Sequence, residues 1–178
     1  PTVLTLHDLA EFHITRYHSR FRQWCRRALP KRIVRTVDRV ITISEHSKTD
    51  LVDLCGAEPD RVVVTYEASG IPPQSNNNSP EQVLARYGVN GRYILYVGKA
   101  LLHKNLFFLL RSFAKVRSAP DCADLKLVLA GGFGHAGEEL KRIAGTLGLS
   151  DSVVFTGYVA EEDLPVLYQG SLFFVFPS

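Results

Sequence analysis

The sequence predicts an α/β fold with parallel sheets, and three observations carry that expectation. Short runs rich in Val, Ile, Leu and aromatic residues alternate with helical patterns along most of the chain, as successive βαβ units do. Glycine follows most of these runs in the second half, giving Gly98, Gly131 and Gly157 at strand ends. Between the halves, Gly70-Ile71-Pro72-Pro73-Gln74-Ser75-Asn76-Asn77-Asn78-Ser79-Pro80 combines prolines and polar residues without hydrophobic periodicity, which marks a linker. The expected organisation is one α/β domain over 1–70, a linker over 71–92 and a second domain over 93–178.

The strand-like runs are Val3 to Leu6, Val40 to Ile43, Val62 to Tyr66, Tyr93 to Val97, Leu125 to Ala130, Val153 to Thr156 and Leu172 to Phe176. The last is apolar throughout and predicts a strand buried on both faces. After Ile43, Ser44 is a suitable N-cap, Leu51, Val52 and Leu54 form an apolar stripe, and Gly56 is a stop signal, which predicts a helix. After Val97, Leu106, Leu109, Leu110, Phe113 and Val116 fall on one helical face, with Arg111, Ser112, Lys115 and Arg117 left for solvent. From Phe12 to Val37 the chain carries eight Arg or Lys and no acidic residue. A solvated face, a surface for anionic lipid and a nucleic-acid contact all fit that stretch. Pro30 interrupts its helical pattern and argues against one unbroken helix.

A 46% hydrophobic and 22% charged composition is that of a globular rather than a disordered chain. No apolar run approaches the roughly 18 residues of a membrane span, and no leader pattern is evident, so a cytoplasmic location is expected. Cys25, Cys55 and Cys122 are widely spaced, which fits reduced thiols better than disulfides or a zinc site. Asn77-Asn78-Ser79 matches a glycosylation sequon, expected to stay bare without export. The chain begins at Pro1 and contains no methionine; it reads as a fragment of a protein about twice as long.

In open α/β sheets ligands sit outside the carboxyl ends of the strands. In the first half these ends are His7-Asp8, Ser44 and Glu67; in the second they are Gly98-Lys99, Gly131-Gly132, Gly157-Tyr158 and Pro177-Ser178. Gly98 admits close approach to the backbone. Lys104-Asn105 stands at the head of the following helix, where unpaired N–H groups, the helix dipole and an ammonium favour an anion such as a diphosphate. A lone lysine opening a solvated helix is the competing reading. Gly132-x-Gly134-x-x-Gly137 has the spacing of a dinucleotide fingerprint, but the next strand ends in Phe155-Thr156-Gly157 without the acidic residue that would hold a ribose. An NAD-dependent enzyme is therefore a minor alternative. His13 and His18 are five positions apart and no H-E-x-x-H occurs, so the spacing offers no two-histidine metal motif on one helix.

Taken in order, Leu4-Thr5-Leu6-His7-Asp8-Leu9, Val37 through Ser44, Pro59-Asp60-Arg61-Val62, Tyr93 through Gly98, Lys104-Asn105-Leu106, Leu127 through Gly132 and Val153 through Val159 resemble the retaining glycosyltransferases of family four, which have the GT-B fold of two Rossmann-like domains. The resemblance implies that 1–70 is the later part of the acceptor-side domain and 93–178 the earlier part of the donor domain. It implies transfer of a hexose, mannose being one candidate, from a nucleotide-diphosphate sugar with retention at the anomeric carbon. His7 would match the active-site histidine. Gly98, Lys99 and Lys104 would hold the donor phosphates, and Gly131, Gly132, Tyr158 and Val159 the nucleotide. The sugar nucleotide would be a co-substrate, with no metal or separate cofactor expected. The acceptor would be a saccharide or lipid-linked saccharide; the basic stretch itself, from Arg16 to Arg35, adds the expectation of contact with the inner face of a membrane, and no nucleic-acid partner is expected. The family's paired glutamates would follow Pro177-Ser178, so the fragment by itself is expected to be inactive. The alternative within the same fold is a sugar-nucleotide epimerase or a non-catalytic sugar-nucleotide binder.

Overall fold

Each run of β-branched and aromatic residues becomes a parallel strand in the computed structural model, which describes residues 1–13, 20–68, 70 and 79–178. Arg16, His18 and the linker residues 71–78 lie outside the described residues. By its internal contacts the chain divides into two units, Pro1–Ser69 and Gly70–Ser178.

In the first unit, β1 (Val3–Thr5), β2 (Arg39–Thr42) and β3 (Val62–Val64) form a parallel sheet in the order β1-β2-β3. The helices are α1 (Ala10–His13), α2 (Arg20–Ile33) and α3 (Glu45–Cys55). Leu9, Val34, Val40, Leu51, Cys55 and Val62 make the core. The Ser44 hydroxyl accepts the N–H of Ser47 at the start of α3, and Gly56 closes it in the left-handed conformation, which satisfies groups at both helix ends. Burial, the largest influence on it, raises the Cys55 thiol above its ordinary pKa. The expectation that Pro30 would break the basic helix is corrected: α2 runs through it. Pro30 sits in the last turn, where its missing N–H forfeits one bond while its carbonyl still accepts from Val34.

In the second unit, α4 (Pro80–Arg86), β4 (Tyr93–Val97), α5 (Leu106–Arg117), β5 (Lys126–Ala130), α6 (Gly134–Thr146), β6 (Val153–Gly157), α7 (Leu164–Gly170) and β7 (Phe173–Phe174) follow in order. The strands are parallel, arranged β6-β5-β4-β7. Alternation along the strands divides two cores. Ile94, Tyr96, Leu127 and Leu129 pack with Leu110 and Phe113 of α5 and Leu140 of α6. Tyr93, Leu95, Val128 and Ala130 pack with Val83 of α4 and Val166 and Leu167 of α7. Helices thus cover both faces, as a parallel sheet requires, and each fully buried aliphatic side chain contributes about 1.5–3 kcal/mol.

Three local expectations change. Part of the stretch expected as linker is α4, opened by a Ser79/Gln82 capping box with Pro80 in its first turn; Arg86 and Tyr87 both donate to buried Asp163 at 2.7 Å, tying this segment to the start of α7. At the end of α5, Val116 is exposed, whereas the Arg117 guanidinium, expected in solvent, donates to Ser152 and to the Ala123 carbonyl. The run Leu172 to Phe176 pairs over only two residues, and Phe173 and Phe174 are 55% and 42% exposed, because among the described residues β7 is an edge strand flanked by β4 alone.

Candidate functional site

The carboxyl ends of β4, β5 and β6 are laced together by their turns. Gly98 N–H donates to the Ala130 carbonyl and Gly131 N–H to the Gly157 carbonyl, both at 2.8 Å. A register shift between Leu129 and Ala130 brings Gly157 opposite Ala130, an irregularity of the kind that re-aims chain ends beside sites. Gly131 has φ +133°, and a Cβ there would lie 2.2 Å from the Gly98 carbonyl oxygen. Gly98 has φ +154°, and its Cβ would meet the Tyr96 hydroxyl at 2.8 Å. Both positions demand glycine, and the result is a rim in which the turns after β4 and β5 pack backbone against backbone.

An aromatic shelf adjoins this rim. Tyr96 on β4 stacks with Phe176, just beyond β7, at 6.0 Å between ring centres and 12° between planes; Phe174 continues the stack. The Tyr96 hydroxyl donates to the Lys99 carbonyl at 3.1 Å, fixing the loop after β4, and burial raises its pKa. Lys104 ends the 3₁₀ turn Leu102–Lys104, and its Nζ lies 4.3 Å from the centre of the Phe176 ring. The ammonium therefore stands over the shelf at the ends of β4 and β7, held by a cation–π contact worth about 0.5–1 kcal/mol. Helix α5 itself begins at Leu106, after Asn105 at φ 54°, and the Asn105 side chain makes no capping hydrogen bond. Lys104 thus precedes the helix rather than opening it. The same loop borders an apolar recess lined by Ala100, Leu101, Leu102, Leu106, Phe107 and Leu140.

The second-unit residues singled out in the sequence separate into three groups. Gly98, Gly131 and Lys104 surround the rim and shelf; Lys99 and Gly132 lie beside them, Lys99 exposed. Tyr158 follows the Gly157 turn and is 78% exposed, whereas Val159 as a whole residue is 5% exposed within the α4/α7 core, so of this expected pair Tyr158 alone presents surface to a ligand.

In the first unit, His7 follows β1 and its Nδ1 lies 2.9 Å from Glu67 Oε1, beyond β3. Ser47 Oγ donates to the His7 carbonyl at 3.1 Å and contacts Ser44 Oγ. The β1 exit is thereby tied to the first turn of α3. Sequence reading placed His7, Ser44 and Glu67 at strand ends; it missed Phe176 and the His7–Glu67 pairing. Aromatic residues near the carboxyl ends of adjacent strands were the available signal for the shelf.

This architecture is the GT-B fold, with Rossmann-like parallel sheets. Residues 85–178 match the glycosyl transferases group 1 family and residues 1–68 match Glycosyltransferase Family 4; the chain belongs to the glycosyl transferases group 1 family. It is 28% identical to O-antigen chain mannosyltransferase B of Escherichia coli, across 99% of this chain and 46% of that protein. It is 31% identical to mannosylfructose-phosphate synthase of Agrobacterium fabrum, across 61% of this chain and 27% of that protein. Among solved structures, Anabaena HepE in complex with UDP and glucose superposes with a TM-score of 0.75 at 20% identity, across 99% of this chain and 46% of that one. Sucrose-phosphate synthase from Thermosynechococcus elongatus gives 0.73 at 23% identity, across 99% and 44%. The chain thus spans less than half the length of each of these proteins.

Proposed function

We propose that this chain is part of a retaining glycosyltransferase that takes a hexose from a nucleotide-diphosphate sugar, with the second unit holding the donor. The observation that carries the reading is Lys104: its ammonium stands over the Phe176 ring at the carboxyl rim that the Gly98 and Gly131 turns form, within a chain of this family. A diphosphate placed there meets a fixed cation and, on Lys99, an exposed second one. As the bond to the sugar breaks, negative charge grows on the leaving phosphate, and cations already in place stabilise it without reorganising; this contribution needs no metal. The shelf under Lys104 is apolar, so the ammonium gives up some hydration in advance and pairs with phosphate at less cost.

His7 is assigned to the transferred sugar in the first unit, with Glu67 holding its ring through the 2.9 Å contact. Mannose is favoured as the hexose by the mannosyltransferase similarity along the whole chain, and a saccharide or lipid-linked saccharide is the acceptor class. The basic stretch from Arg16 to Arg35 is assigned to the anionic inner face of a membrane. Among the described residues no helix is long and apolar enough to cross a membrane, and Trp24 and Leu29 of α2 are exposed, as interfacial contact requires.

Calorimetric titration of the chain with UDP and with GDP tests the donor assignment. A charge-assisted phosphate contact contributes about 1.5–3 kcal/mol, so Lys104→Ala should weaken the better nucleotide at least tenfold. Equal affinity in wild type and variant would overturn the assignment. Transfer itself is tested with the polypeptide in its full natural length, by looking for a new glycosidic product of retained configuration from a nucleotide-diphosphate mannose.

A further inference from the structure

We propose that His13, His46 and Asp50 form a binding site for a divalent transition-metal ion of the zinc class. His46 and Asp50 are four residues apart on α3, so they share one face. His13 ends α1 and reaches the same carboxylate. His13 Nε2 is 2.8 Å and His46 Nε2 3.8 Å from Asp50 Oδ2, and one ligand atom from each of the three residues falls within 4.8 Å of the others. A tetrahedral ion with ligands about 2.0–2.2 Å away needs its ligand atoms about 3.4 Å apart. The two measured separations to Asp50 bracket that value and the third, between the imidazoles, is within 4.8 Å, so rotation of the two exposed histidine side chains would close the set.

The protein holds the ligands for reasons apart from any metal. Phe12 packs against the first-unit core, its N–H donates to the Leu9 carbonyl, and Arg27 Nη2 donates to its own carbonyl at 2.9 Å. His13 therefore projects from an anchored turn. The Asp50 side chain is 14% exposed while those of His13 and His46 are 54% and 82% exposed, giving a seated carboxylate below two accessible imidazoles. An ion bound there keeps an open side for water. Two imidazole nitrogens with one carboxylate favour Zn²⁺, Co²⁺ or Ni²⁺; Mg²⁺ and Ca²⁺ prefer all-oxygen sets. Occupancy would clamp α1 to α3, the two helices entered from the β1 and β2 exits, and so fix the loop that carries His7. Spacing within a single helix could not reveal the trio, because His13 comes from a different element.

The test is calorimetric titration of the tag-free chain, stripped with EDTA, with ZnCl₂ and separately with MgCl₂. The site predicts one equivalent of Zn²⁺, no saturable Mg²⁺ binding and, with Co²⁺, the visible absorption of a low-coordinate complex. Loss of a ligand should weaken Zn²⁺ at least about tenfold in His46→Ala and in Asp50→Asn. His46 is the most exposed of the three, so His46→Ala keeps the fold, as circular dichroism would verify. His103→Ala and His7→Ala should bind Zn²⁺ as wild type does. Absence of saturable Zn²⁺ binding, unchanged affinity in His46→Ala, or loss of binding in His103→Ala or His7→Ala would each overturn the assignment.

Discussion

Replacing Gly131 by alanine tests whether the rim depends on contact between two backbones. The new Cβ would lie 2.2 Å from the Gly98 carbonyl oxygen and 2.9 Å from its carbon, at φ +133°. A side chain in that region of backbone space costs about 1–3 kcal/mol. The collision adds about another 1–3 kcal/mol, because the struck atoms are main chain and Gly98 is fixed by its bond to Ala130. Gly131→Ala should therefore destabilise the second unit by about 2–6 kcal/mol, a large part of the 5–15 kcal/mol typical of a domain. The next residue is a matched control: a Cβ added at Gly132 would meet open space, and its φ is not positive, so Gly132→Ala should stay within about 0.5 kcal/mol. Urea denaturation followed by far-ultraviolet circular dichroism, with hydrogen exchange at β4 and β5 amides, reads both variants. If Gly131→Ala proves as stable as Gly132→Ala, the turns after β4 and β5 do not abut and the rim is wrongly drawn.

Alkaline pH should weaken the second unit through Tyr93, whose buried hydroxyl donates to the Leu167 carbonyl and whose pKa is pushed up by burial from 10.0 to about 12. Its stabilisation is complete below pH 10 and falls as pH rises from 10 towards 12, by about 2.7 kcal/mol in all; stability of Tyr93→Phe across that window should fall less steeply, and an identical slope would refute the assignment. Asp163→Ala should cost about 2 kcal/mol in chemical denaturation, because Tyr87 and the half-exposed Arg86 lose a shared acceptor, and a cost under about 0.5 kcal/mol would show that α4 is held by apolar packing alone. Glu67→Gln should lower turnover of the full-length protein about tenfold while leaving nucleotide affinity unchanged, and should shift the pH–rate profile; an unchanged profile would separate Glu67 from His7.

Much of this architecture is legible from the chain because its signals are local. Val, Ile and Leu runs specify β4 and β5 nearly to the residue, and Ser44 and Gly56 mark both ends of α3. Alternation of helix and strand implies parallel sheets, and parallel sheets gather every strand's carboxyl end on one side. That is why His7, Ser44 and Glu67 can be named together, and Gly98, Gly131 and Gly157 likewise, from residue order alone. What strand ends do not specify is pairing. The His7–Glu67 contact depends on β2 lying between β1 and β3, and the Lys104–Phe176 contact depends on β7 returning beside β4. Strand order follows from which helix covers which face, a property of the whole unit. The same limit explains α4, where a capping box and a proline announce a helix but burial of Val83 requires α7 to be in place. The arrangement of the rim therefore has two origins: residue types supplied locally, and juxtapositions supplied by sheet order. A substitution that preserves every local signal but changes the edge on which β7 adds would leave the strands intact and carry Phe176 away from Lys104, removing the shelf without touching the glycine turns.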